Sequence, residues 1–342
     1  PTQKFPLKPI PFSRQGFTAD DITDISPESH AHVKEQYLKY RSDHKFTPPS
    51  TSGTLLFGYS GGAEWGGNAA DPEGIIYINA NDDPWILQMV DTVTLNAETA
   101  SLSTGNALYA VNCASCHGND RKGNGLEFPG LTDIGSKLSA NQLKQVISAG
   151  TGRMPSFQHL PESDREAIVN YLLNPRTAQV PSAGNRGDRR PQRERPVAFG
   201  FKPLYVKKVW ERLTDQDGYP GVKPPWGTLN AIDLNTGEYL WRVPLGEFPE
   251  LTEKGMAVTG TENYGGPIVT AGGLLFIAAT RDEKFRAFDK RTGEILWEYQ
   301  LPAGGFATPI TYEVAGKQYV AIAAGGARGA KLGGNYVAFA LK

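Results

Sequence analysis

The segment Ala231-Ile232-Asp233-Leu234-Asn235-Thr236-Gly237-Glu238-Tyr239-Leu240-Trp241 recurs 56 residues later as Ala287-Phe288-Asp289-Lys290-Arg291-Thr292-Gly293-Glu294-Ile295-Leu296-Trp297. Ala, Asp, Thr, Gly, Glu, Leu and Trp coincide in the two copies. A repeat period near 50 residues signals blades or solenoid units that bury their apolar faces against one another. The unit reads as strand, tight turn, strand. Asp and Thr side chains bond the turn backbone, and Gly supplies a positive φ. A Trp at a fixed place packs flat in each unit, so that neighbouring units stack alike. An ordinary pair of β-hairpins would not need Ala and Trp at matched spacing.

A different material lies upstream. Cys113-Ala114-Ser115-Cys116-His117 contains the only two cysteines of the chain. Two thiols three apart with histidine directly after is the attachment pattern of c-type haem. The thiols add to the haem vinyl groups and the imidazole becomes the proximal iron ligand. A zinc site would need two further N or S ligands at suitable spacing. No other Cys exists, and His30, His32, His44 and His159 show no paired spacing beyond His30/His32. Of three methionines, Met154 lies in the loop Gly150-Thr151-Gly152-Arg153-Met154-Pro155-Ser156-Phe157. Glycines before it and proline after it prevent a continuous helix, so its thioether can reach the second axial position. Two alternatives stand beside this: Met154 as a filler of a core gap, and His159 as the ligand. The flanks read as helices over Gly105–Ala110, Asn141–Ile147 and Ser163–Leu173, the last capped by Ser163 and stopped before Pro175.

A length of 342 residues predicts two or three domains. The net charge of −1 supplies no basic field for nucleic acid. Gly (39) and Pro (25) exceed average usage, which predicts turn-rich β structure around the helices. No run of 18 apolar residues predicts a membrane-spanning helix, and no signal peptide is visible. A start at Pro1-Thr2-Gln3 reads as a processed chain or a fragment. One further helix is predicted behind Ser26 and Pro27, with Val33, Tyr37 and Leu38 on its inner face and His30 and His32 at the surface.

Residues 100–175 resemble a class I cytochrome c domain in their C-x-x-C-H run, G-x-M-P loop and closing helix. The A-x-D-x-x-T-G-x-x-x-W repeat resembles the tryptophan-docking motif of PQQ-dependent quinoprotein dehydrogenases, which are eight-bladed propellers. Several strings are similar to the membrane glucose dehydrogenase group: Phe46-Thr47-Pro48-Pro49-Ser50, Glu64-Trp65-Gly66-Gly67-Asn68-Ala69-Ala70-Asp71-Pro72, Gly265-Gly266-Pro267-Ile268, Leu275 to Asp282 and Leu301 to Tyr312. The resemblance covers residues 45–90 and 222–341. It implies a mainly β fold, part of an eight-bladed quinoprotein β-propeller, with a small all-α cytochrome c domain inserted in a propeller loop. The expected divisions are propeller over 1–97, cytochrome over 98–175, an Arg/Pro-rich linker over 176–198 and propeller over 199–342. The stretch Asn174 to Pro196, with Arg186, Arg189, Arg190, Arg193 and Arg195, reads as an exposed tether. The alternative is a docking patch for an acidic electron partner.

The resemblance further implies PQQ at the propeller centre with Ca2+ (or Mg2+). The family's catalytic aspartate sits in an H-D-x-W-D segment of its N-terminal half, and its PQQ-facing lysine lies there too. Neither segment occurs in this chain. About four blades remain, so the catalytic residues are expected in an N-terminal half, on the same protein or a second chain. Glu64, Asn79 and Asp282 match family positions near PQQ; by pattern alone Glu64 and Asp282 would cap turns and Asn79 would sit in a loop. One departure is Ala324-Gly325-Gly326-Ala327-Arg328, where the membrane glucose dehydrogenases carry a sugar-linked histidine after Ala-Gly-Gly. The expected function is a quinohaemoprotein dehydrogenase that oxidises a sugar or polyol and passes electrons through haem to a cytochrome or quinone. The expected location is periplasmic or extracytoplasmic, with membrane association through parts outside this chain. The alternatives are a quinohaemoprotein alcohol dehydrogenase and a non-catalytic haem c carrier on a propeller platform.

Overall fold

The computed structural model describes residues 6–59, 62–63, 65–92, 94, 104–123, 128–152, 154–175, 204–326 and 329–341. The chain divides into two compact units. The first comprises Pro1–Pro48, Thr54–Ile86 and Arg212–Lys342; the second comprises Pro49–Gly53 and Leu87–Glu211. The predicted linker over 176–198 lies outside the described residues.

The first unit opens with helix α1 (Pro27–Tyr37). Its start follows from chemistry: Ser26 Oγ accepts from the Ser29 amide at 3.0 Å, and Pro27 occupies the first turn, where no donor is needed. Val33 is fully buried and Ser29 Oγ donates to Asp215 at 2.7 Å, which fixes the helix on its unit. His32 is exposed, while His30 is half-buried with its Nδ1 3.1 Å from the Thr23 carbonyl. Leu38 departs from expectation. It is exposed because it is the C-cap, beyond the last turn that packs.

The strands of this unit form meandering antiparallel sheets. After β1 (Thr54–Leu56) come β2 (Ala69–Ala70) and β3 (Ile75–Asn81), which join β6 (Gly227–Asp233) and β7 (Glu238–Pro244) in the order β2-β3-β6-β7. The short helix α7 (Pro249–Thr252) precedes a second four-stranded sheet of β8 (Ile268–Val269), β9 (Leu274–Ile277), β10 (Lys284–Asp289) and β11 (Ile295–Gln300). A three-stranded sheet of β12 (Ile310–Val314), β13 (Lys317–Ala324) and β14 (Asn335–Phe339) follows.

The repeat seen in sequence is one structural object made twice. Ala231 pairs across the ladder with Trp241, and Ala287 with Trp297. The small Ala leaves room for the indole on its own face. A register shift follows the Ala in both copies, between Ala231 and Ile232 and between Ala287 and Phe288. Asp233 and Asp289 accept turn amides as expected, Asn235 N at 2.8 Å and Arg291 N at 2.7 Å. Trp241 is buried with Leu229, Leu275, Ile277 and Phe288, and its Nε1 donates to the Lys290 carbonyl at 3.0 Å. Trp297 instead remains 36% exposed, edge-on to Phe285 and Phe339.

Strand β3 pairs directly with β6, from Ile75 opposite Asp233 to Asn81 opposite Gly227. The helices between residues 104 and 173 therefore fall, in sequence, between two hydrogen-bonded neighbours of one sheet. The second unit holds most of β4 (Trp85–Asp91) and of β5 (Tyr205–Arg212), which are sheet neighbours. Between them lie α2 (Thr104–Asn112), α3 (Ala114–His117), α4 (Ile134–Lys137), α5 (Ala140–Ala149) and α6 (Glu162–Leu173). Leu108, Tyr109, Leu143, Ile147, Ile168, Val169 and Leu172 make their core. Helix α5 starts on a capping box of Ser139 and Gln142. Helix α6 starts one residue earlier than expected. Its N-cap is Pro161 without a side-chain bond, so Ser163 lies inside the first turn instead of capping it.

Candidate haem and quinone sites

The chain turns sharply at the C-x-x-C-H run. Helix α2 hands over to the single turn α3 through the Cys113 amide on the Tyr109 carbonyl at 2.8 Å and the His117 amide on the Cys113 carbonyl at 3.0 Å. Gly118, at φ 75°, ends that turn. His117 is buried and its Nδ1 lies 2.9 Å from the Pro129 carbonyl. A carbonyl can only accept, so Nδ1 carries the proton and the Nε2 lone pair remains for a metal. Burial lowers the pKa of His117 and outweighs the Pro129 bond, which raises it. The neutral ring is the form that ligates. Cys113 and Cys116 are free thiols, and burial pushes the Cys113 thiol up to about 12, so it stays protonated at neutral pH.

Met154 is placed by a tight hairpin. Its amide donates to the Thr151 carbonyl at 2.9 Å and its carbonyl accepts from the Thr151 amide at 3.1 Å. Gly150 has φ 77°, and a Cβ there would lie 2.5 Å from the Met154 carbonyl oxygen. Met154 and Cys113 pack against the same apolar core. His159, the competing ligand, is exposed and leans on Phe157 with ring centroids 5.9 Å apart. The structure thus brings together the three candidate haem-binding residues of the loop and the apolar core that Met154 lines. The Pro129 acceptor is a participant that sequence spacing does not reveal; the Pro129-Gly130 turn is its only signal.

A second polar centre lies within the propeller unit. Asn79 on β3 is fully buried; its Nδ2 donates to Asn263 Oδ1 at 2.7 Å and to the Gly265 carbonyl at 2.9 Å. Its Oδ1 is buried and finds no partner among the described residues. Asn81 and Asn263 exchange bonds beside it, Asn81 Nδ2 to the Asn263 carbonyl at 2.9 Å and the Asn263 amide to Asn81 Oδ1 at 2.8 Å. Next in sequence, Glu262 meets both terminal nitrogens of Arg212, whose Nε lies 3.1 Å from Asp83 and whose guanidinium covers Trp85. Asp282 is otherwise engaged. Its carboxylate accepts from Thr280 Oγ1 (2.5 Å), the amides of Glu247 (3.0 Å) and Lys284 (3.1 Å), and the Arg286 guanidinium. It knots the loop that carries Arg281. Glu64, Ala327 and Arg328 lie outside the described residues. No group of three or more His, Cys, Asp or Glu is placed to hold a metal ion among the described residues.

Residues 100–172 match the sequence model described as cytochrome c oxidase, cbb3-type, subunit III. Among curated relatives, the quinoprotein glucose dehydrogenase of Escherichia coli is 48% identical over 132 residues, 36% of this chain and 16% of that protein. A probable quinate dehydrogenase (quinone) of Xanthomonas campestris pv. juglandis is 46% identical over 227 residues, 62% of this chain and 26% of that protein. The chain therefore spans about a sixth to a quarter of the length of these relatives. The crystal structure of quinohaemoprotein alcohol dehydrogenase from Comamonas testosteroni aligns with a TM-score of 0.39 at 20% identity, over 84% of this chain and 27% of that one. Residues 1–118 and 152–320, well over half of the chain, match the β-propeller domain of PQQ-dependent glucose/ethanol/alcohol dehydrogenases, and the chain belongs to that family.

Proposed function

We propose that this chain is the haem-bearing part of a quinohaemoprotein dehydrogenase that oxidises a sugar or polyol with PQQ and passes electrons through haem c to an external acceptor. The observation that carries this reading is the locked His117. Its Nδ1 is tied to Pro129 in a loop with two free thiols, within an apolar helical core, on a chain of the PQQ family. The residues fit the haem: Cys113 and Cys116 would hold it covalently, with His117 and Met154 at the iron. Bound there, haem supplies one-electron uptake and release. The chain does the rest. Pro129 holds the imidazole in one tautomer, the Gly150 hairpin aims Met154, and Leu143, Ile147 and Ile168 exclude water.

For PQQ, the open Oδ1 of buried Asn79 is the one ready contact among the residues proposed near it. Asp282 would act by positioning Arg281 and Arg286, and Glu64 joins as a proposed contact from the family match. The catalytic base, the cation and the remaining blades belong to an N-terminal half. The relatives named for glucose and quinate, both polyhydroxylated rings, support the polyol reading. An extracytoplasmic site follows from covalent haem attachment. Among the described residues no helix is long and apolar enough to cross a membrane.

The test is the full-length gene product, matured with haem and loaded with PQQ and Ca2+. Mixing with glucose, glycerol or quinate should bleach the oxidised haem spectrum and raise the reduced α-band. Haem should stay on the chain in a denaturing gel and be lost from a Cys113→Ala/Cys116→Ala variant. A gel without haem, or a haem that no polyol reduces, would sink the reading.

A further inference from the structure

The second unit carries an aromatic stack that the haem-binding motif does not explain. The His117 ring meets Phe128 edge-on, with centroids 6.3 Å apart. Phe128 meets Trp210 of β5 at 5.3 Å. The Lys207 ammonium sits 3.8 Å from the centre of the Trp210 ring. Among the described residues no carboxylate pairs with Lys207. A lysine on a surface strand normally swings freely in water on four rotatable bonds. Here the indole face holds the ammonium in place through its quadrupole. Burial pushes the pKa of Lys207 down, and Cys116 lies within electrostatic range of it. A charge in this position costs desolvation and gains no ion pair, which is the pattern of a residue kept for its field.

We propose that Lys207, seated on Trp210 and backed by Phe128, is a fixed cation that raises the reduction potential of the haem held at Cys113, Cys116 and His117. The step it biases is one-electron reduction of the iron from Fe(III) to Fe(II), with no bond made or broken. The haem site loses one unit of positive charge in that step. A nearby cation repels the oxidised form more than the reduced form, and a partly buried one is weakly screened. The raised potential would draw electrons from the quinone side. This inference rests on the haem reading above.

The test is a potentiometric titration at neutral pH of the full-length, haem-matured protein, with dithionite as reductant. Lys207→Gln and Lys207→Met should each lower the equilibrium constant for haem reduction by roughly three- to tenfold, tenfold being 59 mV for one electron. Lys207→Arg keeps the charge and should titrate with the wild type. Trp210→Leu releases the ammonium to solvent and should show part of the Lys207→Gln shift. The reduced α-band confirms an intact site in each variant, and either neutral variant suffices. A neutral variant with the wild-type midpoint overturns the proposal. So does Lys207→Arg moving as far as Lys207→Gln, which would make the effect packing and not charge. A wild-type protein without covalent haem would overturn the haem reading instead.

Discussion

Asp71 organises three segments with one carboxylate. Oδ1 accepts the amides of Glu73 at 3.0 Å and Ile75 at 3.2 Å; Oδ2 accepts Tyr77 Oη at 3.0 Å and Lys290 Nζ at 2.9 Å. Burial alone would raise its pKa. The bonds from Lys290, Ile75 and Tyr77 overcome that and hold it below the usual carboxylate range. The sign of the linkage follows. A carboxyl with a lower pKa folded than unfolded adds stability above its unfolded value near 3.9, and that stability is lost as pH falls through the folded value. Asp71→Ala should cost about 2–4 kcal/mol at neutral pH, because it takes the buried partner from the Tyr77 phenol and leaves the Lys290 ammonium only the exposed Glu73 carboxylate at 3.4 Å. The deficit should shrink in melts run below pH 4. A constant deficit from pH 7 to pH 3 would show that the charge of Asp71 contributes nothing. At this scale the sequence reveals what is local. Cys113 to His117 is legible because one helical turn must bring those atoms together. The Pro129 carbonyl on His117, and Asn263 on Asn79 at 184 residues' separation, depend on tertiary packing that no spacing announces.

Each repeat turns at its glycine, and the two turns differ in what they face. Gly237 and Gly293 both have positive φ, 73° and 74°. A Cβ on Gly293 would lie 2.8 Å from the Trp241 ring of the preceding copy, whose place is fixed by its bond to Lys290. A Cβ on Gly237 would lie 2.8 Å from the Lys8 Cβ, which gives way only by a small shift of the exposed backbone at residues 6–8. Gly237→Ala should therefore cost only the left-handed backbone penalty, about 1–2 kcal/mol. Gly293→Ala adds overpacking against the indole and should cost about 1–3 kcal/mol more. Denaturant melts of the two variants measure the difference, and equal losses would refute the docking of Trp241 on the Gly293 turn. The strands, turns and α2, α5 and α6 are readable because periodicity and capping are local. Ser163 shows the limit: a good capping residue lies inside the first turn, since Pro161 already fixes the backbone at the helix start.

The propeller unit keeps a broad apolar surface in water. Every residue of β11 and β12 is exposed, and Ile295, Leu296, Tyr299, Ile310, Tyr312 and Val314 are large apolar groups among them. Trp297, the counterpart of buried Trp241, is left half-covered beside them. Exposed apolar area on edge strands of this kind marks an interface, and β11 and β12, each at the edge of its sheet, can pair with other chains. The curated relatives are four to six times longer than their matches to this chain, and the proposed N-terminal blades are the natural cover. Residues 1–342 produced alone should bind a hydrophobic dye and self-associate as concentration rises. Polar substitution of Trp297 and Tyr299 together should reduce both effects, since it removes aromatic area without touching the Trp241 core. In the full-length protein the same pair should be buried, so the double substitution should cost stability there, by about 3 kcal/mol or more for the loss of packed aromatic area. The opposite signs are the decisive readout. If the pair stabilises or leaves unchanged the full-length protein, these strands face solvent in the complete molecule and the blades proposed to cover them lie elsewhere.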